Sequence, residues 1–494
     1  MKLRNWQSEC IESAIAKYSD NKHFLALATP GAGKTVMASV LAKRLFDEGK
    51  IDLVLCFSPS CIVAYDFTAA LSEQFKAPFD GTMGAMGNSY TYQALSSLNE
   101  SVWLLFLRYR IFVIFDEIHH CAGSSLINSN AWGTAIIAKI KHSACYSIAL
   151  TGTPWRSDAL PIALAEYCDQ SGEIQCDYSY GLKESIRDKV CRVPQIFALD
   201  NDHINLTQGS DSSRFNSFTD FLSRTNIAYS AIVTSEEVIA QLLKLSNCKL
   251  NELRKVNSYA GGLIVASSIS HAHKIQLILN QTLGETAQVV TSDEDYPSRL
   301  IQAYRCNSER WIISVGMISE GTNIPRLQVC CYLSNIKTEM CYRQVLGRIL
   351  RFTHANNQEA AFFMPAEPKL LKFAHRIVED IPDELAKVII VSMDKELITG
   401  LDSEQPDESK DSAADYYITP YEDSLITLER AADFDNQFNE DEAINNHNVI
   451  ELYDTVIDIS GNFFHTELEI EGLDHLSISE GSMAQLAEYS NRVY

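Results

Sequence analysis

A glycine-rich loop set between a strand and a helix constrains this chain more than any other feature. The apolar run Phe24–Ala28 reads as a buried strand, and Val36–Phe46 has helical periodicity. Ala28-Thr-Pro-Gly-Ala-Gly-Lys-Thr35 joins the two. Gly31 and Gly33 let the backbone bend until successive N–H groups face an anion, and the helix N-terminus adds a favourable dipole. In that geometry Thr29, Gly31, Ala32 and Gly33 line a phosphate cradle, Lys34 meets the β- and γ-phosphates, and Thr35 ligates Mg²⁺.

Around the loop, helical patterns alternate with short apolar runs, as a parallel α/β sheet requires. Strands are expected at Phe24–Ala28, Leu53–Phe57, Ile111–Phe115 and Ser147–Leu150. A second series follows with Leu263–Ala266, Gln288–Val290, Trp311–Val315 and Val329–Leu333. Two series in 494 residues suit two tandem lobes, because one core rarely grows that large. A linker is expected near Arg192–Asp200, where Pro194 interrupts the pattern. The polar stretch from Asn201 to Val256 reads as helices decorating the second lobe, or as an insertion between lobes.

The strand Ile111–Phe115 ends in Asp116-Glu-Ile-His-His120. Carboxylates at the C-terminal end of a parallel strand lie on the edge where ligands bind. Asp116 is expected to hold Mg²⁺, and Glu117 to orient and activate an attacking water.

Taken together these residues resemble the superfamily 2 helicases of the DExH type, and the resemblance runs in order from Leu3 to Arg351. Leu3-Arg-Asn-Trp-Gln7 looks like the family's N-terminal motif, in which the glutamine, here Gln7, reads adenine. Thr151-Gly-Thr-Pro154 resembles the motif that couples hydrolysis to lobe movement. Ser58-Pro-Ser60 and Thr91-Tyr-Gln93 stand where the family places first-lobe contacts to a nucleic-acid backbone, and Ser267 to His271 resemble the fourth motif of restriction-type helicases. Ser314 to Pro325 resembles the fifth motif, with Gly321 at the nucleotide and Asn323 where many members carry aspartate. Gln344-Val-Leu-Gly-Arg-Ile-Leu-Arg351 matches the sixth. On a helix Gln344, Gly347, Arg348 and Arg351 share one face, so that Arg348 and Arg351 point together at the γ-phosphate held by the other lobe. Within the superfamily the chain looks closest to restriction subunits and phage recombination helicases.

The resemblance implies two RecA-like lobes, residues 1–200 and 201–395, and composition with the strand-like alternation of Val449–Ile459 and Phe463–Ile470 adds an acidic linker and small C-terminal domain at 396–494. It implies ATP and Mg²⁺ as cofactors and nucleic acid as partner, DNA before RNA, with roles in repair or in defence against foreign DNA. An RNA helicase, and a nucleic-acid-triggered ATPase switch that recruits an effector without unwinding, stay open as alternatives.

The net charge of −23 is at odds with phosphate binding only until it is placed. From Leu401 to Tyr494, 23 acidic residues face only Lys410, Arg430 and Arg492, so the first 400 residues hold 38 basic and 41 acidic ones. The acidic region can dock a basic protein partner such as a nuclease, mimic nucleic acid, or serve as a solvated appendage. The thirteen cysteines are scattered without any Cys-x-x-Cys pair, which speaks for reduced thiols rather than a zinc site. No apolar run is long enough to cross a bilayer, and Met1 to Lys17 is not a signal peptide, so a cytoplasmic location is expected.

Overall fold

The computed structural model describes residues 3–123, 129–156, 160–168, 173–208, 210–294, 296–316, 324–353, 358–379, 455–459, 462–471 and 473. In the front lobe the strands are β1 (His23–Ala28), β2 (Leu53–Ser58), β3 (Gly87–Thr91), β4 (Ile111–Asp116) and β5 (Tyr146–Thr151). A short antiparallel pair follows, β6 (Glu166–Tyr167) and β7 (Ile174–Gln175), and then β8 (Tyr178–Tyr180). The main sheet has the order β3-β2-β4-β5-β1-β8 with every pairing parallel. Strand β4 is buried along its whole length, as a sheet covered on both faces demands. All C-terminal strand ends therefore share one edge, and the glycine loop, Asp116 and Thr151 meet there.

The rear lobe contains β9 (Val193–Asn201), β10 (Ile204–Gln208), β11 (Asp211–Phe215), β12 (Gly261–Ala266), β13 (Ala287–Val290) and β14 (Trp311–Ser314). It continues with β15 (Leu327–Leu333), β16 (Glu359–Pro365), β17 (Thr455–Ile459) and β18 (Phe463–Leu468). Its main sheet runs β13-β14-β12-β15-β16-β9-β18, parallel apart from the last strand. The architecture is thus α/β with two parallel-sheet lobes in tandem.

Three expectations are corrected. The segment around Pro194 is strand β9 and not a linker. Pro194 pairs with Ala360 of β16, while the β18 register reaches only from Asn201 to Ile196, so the proline lies where β9 has a single strand neighbour, an edge position at which a missing N–H is tolerated. The stretch before Val256 is only partly helical, because β10 and β11 form a hairpin within it. Its long helix Glu236–Val256 decorates the rear lobe, packing on β15 and β16 and burying Lys249 in an ion pair with Glu359 at 2.7 Å. Finally, within the described residues the alternating C-terminal runs join the rear lobe rather than standing apart from it. Strand β17 adds to β10 and β18 closes the edge of the rear sheet against β9. Exposed edges invite pairing, and the tertiary fold recruits these strands from about 250 residues away.

One apolar cluster runs without interruption from Trp6 and Leu41 in the front lobe to Leu263 and Val345 in the rear lobe. No described helix is long and apolar enough to cross a membrane.

Candidate nucleotide site between the lobes

The glycine loop adopts the bend its residues allow. Gly31 and Gly33 have φ of 85° and 97°, and Gly33 caps the helix Lys34–Asp47. Side chains other than glycine pay about 1 kcal/mol or more for such left-handed backbone. The N-terminal segment braces the loop from outside. Arg4 Nη1 donates to Ala32 O at 2.6 Å, and Gln7 Nε2 donates to Gly33 O at 3.0 Å. Arg4 N donates to Gln7 Oε1 at 2.9 Å, and Trp6 stacks on Tyr180 with ring centroids 4.9 Å apart. Thr29 and Ala32 are buried, whereas Thr35 is half-buried at the helix start.

Lys34 Nζ reaches across the edge to Glu117 Oε1 at 2.9 Å and to Ala28 O at 3.2 Å. The other carboxylate oxygen of Glu117 accepts from Gly152 N at 3.2 Å. Glu117 has φ of 49°, so a strained backbone turns the carboxylate toward the loop. Burial raises the Asp116 pKa and the adjacent Glu117 charge raises it further. Burial also works upward on Glu117, but Lys34 and His119 outweigh it and hold this carboxyl well below its usual range. Neighbouring acids driven apart in this way favour distinct roles.

Behind the carboxylates, His119 Nδ1 lies 2.9 Å from Thr151 Oγ1, and Arg156 Nη1 donates to His119 O. Tyr92 is buried, donates to Asp116 O at 2.8 Å and stacks on Trp132 at 5.7 Å.

From the rear lobe the helix Glu339–Ile349 brings Gln344, half-buried, and Arg348, buried. The expectation that Arg351 shares this helix face is corrected. The helix ends at Ile349, and Arg351 sits beyond it in a β-bridge to Cys191. It reaches the loop all the same, since a Cβ added to Gly31 would lie 3.1 Å from Arg351 Cγ. A Cβ on Gly347 would lie 2.6 Å from Pro30 Cβ, so only glycine lets the helix approach this closely. Burial lowers the Arg351 pKa to about 9, helped by the charges of Arg348 and Arg305.

Gly321 and Asn323 fall outside the described residues. Two of the expected backbone contacts do not survive, because Ser58 and Tyr92 are fully buried. Ser60 caps the helix Cys61–Phe75 and Ser268 caps Ile269–Leu283, so both hydroxyls already serve their own helices.

Trp155 and Arg343 were not singled out by the sequence, and Arg4, Tyr92 and Arg192 entered only as members of a motif or as the bound of an expected linker. Arg192 donates to Leu327 O at 2.5 Å, Ile349 O at 3.0 Å and Pro325 O at 3.3 Å, and so ties the chain crossing between the lobes to the end of the Arg348 helix. An arginine inside the apolar run Val190-Cys-Arg-Val193 is the only trace of this in the sequence.

The residues present fit a nucleoside triphosphate with Mg²⁺. A helix N-terminus entered through left-handed glycines suits an anion, and a lysine, a hydroxyl and a buried carboxyl are the groups that phosphates and a divalent cation require.

Residues 1–156 match the family described as type III restriction enzyme, res subunit. Over 389 residues the chain is 31% identical to the uncharacterized protein ML1624 of Mycobacterium leprae (strain TN), covering 76% of this chain and 64% of that protein. It is 28% identical over 392 residues to the uncharacterized protein Rv2917 of Mycobacterium tuberculosis (strain ATCC 25618 / H37Rv), covering 75% and 62%. The chain thus spans less than two thirds of the length of these curated relatives. Among solved structures, a fragment assigned to an HsdR subunit of a type I restriction enzyme from Vibrio vulnificus YJ016 superposes with a TM-score of 0.51 at 14% identity, covering 77% of this chain and 67% of that one. The family match covers the front lobe, and the solved structure shares the fold of two parallel-sheet lobes in tandem; both agree with the resemblance to superfamily 2 helicases carried by the ordered motifs.

Proposed function

We propose that the protein hydrolyses ATP between its lobes to move on DNA. The observation that carries this reading is the convergence of the Lys34 loop and the Arg348–Arg351 segment on one cleft, with Gly31 and Arg351 in near contact. Lys34 and Thr35 hold phosphates and Mg²⁺ together with Asp116, and Gln7, seated on the loop backbone, reads the adenine. Bound Mg²⁺ would neutralise charge developing on the phosphates. Glu117 takes a proton from the attacking water, and Arg348 and Arg351 stabilise the transferring phosphoryl group from the opposite side, with Gln344 on the helix of Arg348. Reopening of the cleft after turnover converts hydrolysis into movement along a strand.

The restriction-type description of the matched family supports DNA over RNA and a role in defence against foreign DNA or in repair, with cleavage supplied by a partner protein. The acidic C-terminal region is the expected docking site for such a partner. ATPase measured with no nucleic acid, single-stranded, duplex and branched DNA, and RNA tests this reading, alongside strand displacement on matched DNA and RNA duplexes. DNA-stimulated turnover with translocation is expected. Stimulation by RNA alone, or rapid turnover without movement, would replace it with the RNA helicase or the recruiting switch.

A further inference from the structure

The six residues Thr151–Arg156 touch more of the machinery than their motif requires. Gly152 N donates to the Glu117 carboxylate at 3.2 Å, the Thr151 hydroxyl lies 2.9 Å from His119, and Arg156 donates to His119 O. The segment is therefore fixed to the water-activating carboxylate at one end. At its other end stands Trp155, buried, with the guanidinium of Arg343 over its ring at 5.2 Å from the centroid. Arg343 belongs to the rear lobe, one turn before Gly347 on the helix that carries Arg348.

Arg343 is held firmly in its own lobe. Its Nε and Nη2 donate to Glu339 Oε1 at 2.9 and 2.7 Å, and its Nη1 donates to Ile377 O at 3.1 Å and Glu379 O at 2.6 Å. A guanidinium pinned in its plane presents a fixed face to an indole, the arrangement in which a cation–π contact loses least by ordering. The helix thus touches the front lobe at two points one turn apart, Gly347 on Pro30 of the loop and Arg343 on Trp155. Gly152 lies between them, and a Cβ there would be 3.1 Å from Pro30 Cδ and 3.3 Å from Lys34 Nζ.

We propose that Trp155 and Arg343 form an interlobe latch that sets Glu117 when the lobes close. Both are positioning residues: the latch acts on Glu117 through Gly152, and this inference rests on the ATPase reading above for its catalytic consequence. Closure brings the indole under the guanidinium, the Thr151–Arg156 segment is held, and the Gly152 amide keeps the carboxylate aimed at the loop.

The test uses the full chain in a double-mutant cycle. Trp155→Leu keeps an apolar side chain without a π face, Trp155→Phe keeps a weaker π face, and Arg343→Gln is made together with Glu339→Gln so that no buried carboxylate is left unpaired. Trp155→Leu is expected to lower kcat of nucleic-acid-stimulated ATPase roughly tenfold with the KM for ATP nearly unchanged, and Trp155→Phe to recover most of the loss. The combined variant should be no worse than the worse single one. Wild-type kcat in Trp155→Leu, or losses that multiply, would overturn the latch. Small-angle scattering scores the latch apart from catalysis. Trp155→Leu should enlarge the radius of gyration of the nucleotide-free protein, and an unchanged radius overturns the latch even if the wild type shows no ATPase, a result that would itself sink only the functional reading.

Discussion

The ammonium of Lys34 and the carboxylate of Glu117 lie 2.9 Å apart, so the lysine of the glycine loop is paired with the residue proposed to activate water. A triphosphate in the loop would draw Lys34 toward its oxygens and release Glu117 for the water. The two side chains should therefore fail in different ways. Lys34→Ala is expected to lose both nucleotide affinity and turnover. Glu117→Gln should keep nucleotide binding within a few-fold while kcat falls by about 10² or more. Binding of a fluorescent ATP analogue and steady-state ATPase check this, and full turnover in Glu117→Gln would refute the role given to that residue.

Gly347 separates lobe stability from lobe closure. Alanine is favoured over glycine inside a helix by about 1 kcal/mol, so Gly347→Ala should not weaken the rear lobe itself. Its Cβ would nonetheless collide with Pro30 at 2.6 Å. The expected result is a nearly unchanged melting temperature with kcat reduced about tenfold or more, since a small misplacement of reacting groups is costly.

Tyr92 ties the Asp116 backbone to the segment that follows β3. Tyr92→Phe keeps the ring stack on Trp132 but leaves the Asp116 carbonyl without this donor, a loss of about 1–2 kcal/mol of stability. Nucleic-acid stimulation of the ATPase should fall more than the unstimulated rate. Equal losses in both would make Tyr92 a packing residue only.

The C-terminal strands predict a graded response to truncation. Removing residues 455–494 takes away β17 and β18 and bares the edges of β10 and β9, so the melting temperature should drop by several degrees and aggregation should rise. Removing 474–494 spares both strands and should shift the transition by little. Equal melting temperatures for the two truncations would show that the strands add nothing to the rear lobe.

His271 sets a pH dependence. Burial lowers its pKa to about 4, with the Lys274 charge adding to the effect, while the Val233 backbone works the other way. Its Nδ1 accepts from the Ser267 amide at 3.2 Å, which the charged ring could not do. The unfolded chain binds the proton from about pH 6.5 downward and the folded one only near pH 4, so stability is lost as pH falls through that window, by an amount on the order of 2 kcal/mol. Denaturant unfolding across pH 4 to 7 should show the slope, and His271→Leu should flatten it.

What the sequence alone determined is the part in which neighbouring residues carry their own instructions. Strand, glycine loop and helix around Lys34 are local, and so are the apolar runs that became β1, β2, β4, β5 and the core of the rear sheet. Acids at the end of β4 follow from the same local logic. The tertiary structure decided whatever depends on distant partners. Pro194 looked like a break because its missing N–H matters only if two strands flank it, and that is a property of the sheet. The alternation near Phe463 was legible, but the strand it joins lies more than 250 residues earlier. Arg351 left its helix because a backbone bridge to Cys191 captured it, and Arg343 acquired a role only when the lobes set it over Trp155. Hydrogen-bond donors, aromatic faces and strand edges are satisfied in space, and periodicity along the chain does not say by whom.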